Sequence, residues 1–164
     1  MFAINPDVLD TGTPPIPAAR AWMTRYDGAH GPAIDLSQAA PGSAPPPELL
    51  ARLAAAAGDP ATARYGAIVG DDALRSAYAR EVSAVYGSDV GPSEVAITAG
   101  CNLAFVATVL ALARAGDQVI LPTPWYFNHA MALKLLGVET VPLPSQASAG
   151  FVPDVEAAKP LITP

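Results

Sequence analysis

From Val95 onward the apolar residues fall into short strand-length runs alternating with helix-length runs, and glycines divide them. Glu94 to Thr98, Gln118 to Leu121 and Val138 to Val141 read as strands, whereas Asn102 to Ala115 and Tyr126 to Leu136 read as helices. Gly116-Asp117 and Gly137 occupy the short helix-to-strand turns. Such alternation predicts an α/β fold built from right-handed βαβ units, with helices packed on a sheet. Ligands of such sheets bind outside the carboxyl ends of the strands.

The first ninety residues have a different rhythm. Residues 1–45 read as irregular apart from a helical pattern from Ala18 to Tyr26. The stiff turn from Gly42 to Pro47 leads into a helix over Glu48 to Ala57, since proline suits a first helical turn. Gly58-Asp59-Pro60 ends that helix. After a loop carrying Tyr65 and Gly70, Asp71 or Asp72 can cap a helix that runs to Tyr86 and stops at Gly87. Its apolar positions Leu74, Ala77, Tyr78, Val82 and Val85 share one face.

Composition narrows the function classes. Hydrophobic residues make up 51% of the 164 and charged residues 15%, which excludes a disordered chain. A net charge of −6, with no basic cluster, argues against nucleic acid or an anionic membrane as partner. The most apolar stretch, Leu103 to Ala113, is too short to span a bilayer, and the first residues lack the layout of a signal peptide. The single cysteine, Cys101, rules out an internal disulfide framework and fits a reducing cytoplasm.

Two segments carry the chemistry. Thr98 to Ala104 reads as a strand end, a small turn and a helix start, an arrangement that aims backbone N–H groups at an anion, normally a phosphate. Gly100 lets that anion approach closely because no side chain intervenes. The second segment, Thr123 to His129, follows the next strand and brings three consecutive aromatics, Trp125, Tyr126 and Phe127, beside the first. A phosphate cradle next to an aromatic plate suits a flat, phosphorylated heteroaromatic cofactor, and pyridoxal 5′-phosphate (PLP) is the candidate. A dinucleotide or nucleotide site is not indicated, for neither a G-x-G-x-x-G nor a Walker pattern occurs. Cys101 has no His/Asn arrangement to make it a nucleophile, and Asp71-Asp72 reads as a helix cap, not a metal site.

At these residues the chain resembles the class I/II aminotransferases, the fold-type I family of PLP enzymes. Ile34 to Pro41 resembles the family's L-[ST]-x-G-x-P segment, and Tyr65 to Arg75 its Y-x4-G-x3-L-R block. Gly87 to Gly100 resembles G-x-x-[VL]-x-P-x-x-[VI]-x-[VI]-T-x-G, and the blocks Ala115 to Ile120 and Leu121 to Tyr126 complete the series. Five blocks in order span roughly positions 30 to 145. The resemblance implies an incomplete fold-type I large domain, a three-layer α/β/α sheet: residues 1–45 as an N-terminal arm and small-domain segment, and 46–164 as the N-terminal part of the PLP-binding domain. It further implies a homodimer acting on an amino acid and a 2-oxo acid.

Carried over residue by residue, the resemblance assigns the cofactor phosphate to Gly100, Cys101 and Asn102. It gives Tyr126 the stacking role on the pyridine ring, because an aromatic three positions before a histidine recurs in a run similar to W-G-N-H. His129 would back an aspartate that pairs with the pyridine nitrogen. Tyr65 would reach the phosphate of the other subunit. Ala39 stands where the family often has glycine near the substrate carboxylate, and its methyl crowds that approach. Trp125 and Phe127 read as core or interface aromatics, Arg75 as a helix-surface or interface residue, and His30 as structural or exposed.

The family's Schiff-base lysine, its aspartate and its carboxylate-gripping arginine fall later than any block matched here. Lys134 and Lys159 lack the expected context, so the chain reads as the N-terminal part of a longer enzyme and is expected to be inactive alone. The alternatives are a carbon–sulfur β-lyase of the same fold, or a non-catalytic phosphate-binding or interaction remnant.

Overall fold

A computed structural model describes residues 2–163. The chain divides into two compact units, Met1–Ala33 together with Ala99–Pro164, and Ile34–Thr98.

The first unit holds the α/β part. Short helices α1 (Pro6–Asp10) and α2 (Ile16–Met23) precede α5 (Cys101–Leu112), strand β1 (Gln118–Thr123), α6 (Phe127–Leu135), strand β2 (Glu139–Pro144) and α7 (Val155–Ala158). β1 and β2 pair in parallel, from Gln118 opposite Glu139 to Thr123 opposite Pro144, and α6 is the crossover between them. Leu133 of α6 is fully buried and packs with Val109 of α5 and Val138, which leads into β2. Phe105, Ala113, Val119 and Leu136 complete this core. Gly137 turns the chain at φ 70° between α6 and β2, and an added Cβ would lie 2.9 Å from Ala115 Cβ. Tight apposition of two turns therefore requires glycine there.

The second unit contains α3 (Pro47–Gly58) and α4 (Asp72–Tyr86). Asp71 caps α4 by accepting from the Ala73 and Leu74 N–H groups at 2.9 and 3.2 Å, and Gly87 ends it in the left-handed conformation. The face of α4 packed inward is not the apolar one expected. Ala79 is buried and Arg75 and Val82 are half-buried, while Leu74, Tyr78 and Val85 stay exposed. Arg75 is a bracket and not a surface residue: its side chain is 14% exposed, Nε donates to Val95 O at 2.8 Å and Nη2 to Pro92 O at 2.5 Å.

That bracket also explains a second difference. Of the three strands expected, Glu94 to Thr98 does not form: Glu94 closes a 3-10 turn, Pro92–Glu94, and residues 95–98 join no ladder among the described residues. Two of their backbone groups are engaged otherwise, Val95 O by Arg75 and Ile97 N by Val69 O at 2.9 Å. Gly70, at φ 100°, lets Ile97 lie so close that an added Cβ would stand 2.7 Å from Ile97 Cβ. Among the described residues, no helix is long and apolar enough to cross a membrane.

Candidate functional site

α5 and α6 build the site by starting side by side. Phe105 stacks on His129 with ring centroids 4.3 Å apart and planes 20° from parallel. One turn further on, Val109 and Leu133 meet in the core. Because the layers come in the same order along both helices, the two run in the same direction and open at one end. That end follows the carboxyl terminus of β1, since Tyr126 stands three residues after Thr123.

Neither helix start is closed by a side-chain cap. α1, α4 and α7 are capped by the side chains of Asn5, Asp71 and Asp154, and α2 and α3 carry proline within their first two positions. α5 and α6 have neither device. The first-turn N–H groups of an α-helix have no acceptor inside the helix, and the dipole favours an anion in front of them. At α5 the turn is made by Gly100 with φ 90° and ψ 163°, a region essentially reserved for glycine. An added Cβ there would meet nothing within 4 Å, so the space before the turn is open. Cys101 and Asn102 follow in the first turn, both exposed.

At α6 the N-cap is Tyr126, 46% exposed and fixed at two points. Its ring meets His129 edge-on at 5.3 Å and 84°, and its hydroxyl oxygen accepts from Asn128 Nδ2 at 2.6 Å. Phe127 is half-buried beside it, with centroids 5.2 Å apart, and Trp125 is partly exposed. Asn102, Phe105 and Asn128 line an open cavity of about 210 Å³ between the two helices. An open glycine turn at a helix start, beside an exposed aromatic held at a set angle, fits a group that is anionic at one end and flat at the other.

Of the residues singled out in the sequence, Gly100, Cys101, Asn102, Tyr126 and His129 lie together in the first unit. Tyr65 and Ala39 belong to the second and are exposed, Tyr65 fully. His30 is exposed, its N–H donating to the Tyr26 hydroxyl at 2.9 Å. Sequence reasoning overlooked Phe105 and Asn128. Phe105 reads as one more apolar residue of a uniformly apolar helix, and its partner is 24 positions away. Asn128 carried a signal, since an amide two residues after an N-cap tyrosine can reach back to the hydroxyl.

The chain is similar over residues 32–164 to the family described as aminotransferase class I and II. It is 32% identical over 150 residues to a valine–pyruvate aminotransferase of Mycobacterium tuberculosis, covering 90% of this chain and 38% of that one. With the methionine aminotransferase of Escherichia coli it shares 38% over 106 residues, covering 64% and 27%. Substrate-bound BacF from Bacillus subtilis superposes with a TM-score of 0.79 at 26% identity, over 95% of this chain and 40% of that one. The chain thus spans about two fifths of the length of these relatives or less. Matched over most of its length by the family and by solved members of the fold, this chain belongs to the class I and II aminotransferases, and its fold is part of the fold-type I architecture.

Proposed function

We propose that the protein carrying this chain is a PLP-dependent aminotransferase that moves an amino group between an amino acid and a 2-oxo acid, and that this chain supplies the phosphate and ring contacts. The observation that carries the reading is the pairing of the Gly100 turn with Tyr126 at two adjacent helix starts. In it the backbone N–H groups of the first turn of α5, Cys101 and Asn102 included, hold the phosphate. Tyr126 lies against one face of the pyridine ring and limits its tilt. His129 supports Tyr126 from the side and backs the acidic partner of the ring nitrogen. Tyr65 donates a hydrogen bond to the phosphate of a second subunit, and Ala39 narrows the approach to the substrate carboxylate. When bound, PLP supplies the electron sink for amino-group transfer. The enzyme is proposed as a homodimer in the cytoplasm, a compartment in which the exposed Cys101 thiol stays reduced.

The test uses the full-length protein from its source. It is expected to carry PLP and to pass a ¹⁵N label from an amino acid to a 2-oxo acid. Release of thiol from a cysteine conjugate without label transfer would favour the lyase reading. A protein that neither carries nor takes up PLP would overturn the proposal. Tyr126→Ala is expected to weaken PLP binding about tenfold, in line with the area and ring contacts of one aromatic face, whereas Trp125→Ala should change it little.

A further inference from the structure

We propose that Phe105 is a positioning residue that sets the angle of Tyr126 through His129, coupling the helix that starts at the phosphate turn to the aromatic plate. The inference rests on the reading of Tyr126 given above. Three rings form a continuous chain across the two helices: Phe105 lies flat on His129 at 4.3 Å, and His129 meets Tyr126 edge-on at 5.3 Å. Phe105 is itself anchored, because it packs against the Val109, Leu133 and Val138 core one turn deeper. His129 is half-buried between the other two rings. Tyr126 is the exposed end of the chain, and apart from the Asn128 hydrogen bond its orientation is defined by ring contacts to His129 and Phe127. Removing the flat face beneath His129 lets the imidazole rotate, and the edge on which Tyr126 leans moves with it. Aromatic pairs prefer defined offset and edge-on geometries, so the orientation is transmitted and not merely the packing.

The experiment uses the full-length protein and three single variants, Phe105→Leu, Phe105→Tyr and Tyr126→Ala, together with the double variant that combines Phe105→Leu with Tyr126→Ala. In the protein freed of cofactor, Phe105→Leu is expected to shift the His129 imidazole proton resonances downfield as the ring current is lost, and Phe105→Tyr to leave them in place. PLP affinity should fall about threefold to tenfold in Phe105→Leu, the range of one aromatic pair contact, and stay native in Phe105→Tyr. In the Tyr126→Ala background, Phe105→Leu should add clearly less than it does in the native protein, because the share of its effect that passes through Tyr126 is already lost. An equal effect of Phe105→Leu with and without Tyr126, or unmoved His129 resonances, would overturn the inference and leave the cofactor reading standing. Native PLP affinity in Tyr126→Ala would overturn both.

Discussion

At Gly100 the backbone is held at φ 90° and ψ 163°, where a Cβ is strained even though the space around it is open. The residue is therefore required by conformation and not by crowding, which separates it from Gly70 and Gly137, where a neighbour stands under 3 Å from the added atom. Replacing Gly100 with alanine should cost about 1–3 kcal/mol, the usual penalty for an L-residue in that region. Urea unfolding of the full-length protein measures the cost as a lower midpoint at unchanged slope. If the chain relieves the strain by turning the peptide away, the first N–H groups of α5 lose their aim. PLP affinity should then drop along with stability. A variant with native stability and native PLP affinity would mean that the turn is not needed in this conformation.

The elements themselves divide into those fixed by local chemistry and those fixed by distant partners. Asp71 and Gly87 delimit α4, and Gly116 and Gly137 mark the turns around β1 and α6; all are readable because caps and left-handed turns depend on a few adjacent residues. The pairing of β1 with β2 followed from the alternating pattern. Residues 95–98 did not become a strand, since a strand needs a neighbour, and two of their backbone groups, Val95 O and Ile97 N–H, are engaged by Arg75 and Val69. The α4 pattern located an apolar stripe at Leu74, Tyr78 and Val85 but could not say which face this unit covers. The charged Arg75 lies on the covered face because its guanidinium satisfies two backbone carbonyls there. Arg75→Met keeps the volume of the stem and removes both bonds, together with the exposed ion pair from Nη1 to Asp72 at 3.0 Å. It should destabilise the protein by about 2 kcal/mol, the scale of charge-assisted hydrogen bonds left unmade. Amide exchange read residue by residue should show the loss as faster exchange at Val95 and Ile97, with the α6–β2 region unaffected. Uniform exchange throughout would count against the bracket.

On the scale of the whole molecule, Tyr65 sets the problem. Its side chain is fully exposed on this chain, so any function it has is exerted on something other than the packing of its own unit. In the homodimer proposed above, Tyr65 reaches the cofactor phosphate of the second subunit. Tyr65→Phe removes one hydrogen bond to a charged group and should lower PLP affinity about tenfold. Which subunit supplies the hydroxyl can be settled with hybrid dimers. Asn102→Asp puts a carboxylate beside the phosphate position, a change compatible with the first turn of α5 yet repulsive to the ligand. In a hybrid of one Tyr65→Phe subunit and one Asn102→Asp subunit, the first keeps an intact cradle and receives a native Tyr65 from its partner. That site should bind PLP with native affinity at half occupancy. If Tyr65 serves its own subunit, the intact cradle lacks its hydroxyl and the hybrid binds as weakly as the Tyr65→Phe homodimer. Titration of tandem-purified hybrids therefore decides the direction of the contact, since only a crossed contact restores a tight site from two impaired chains.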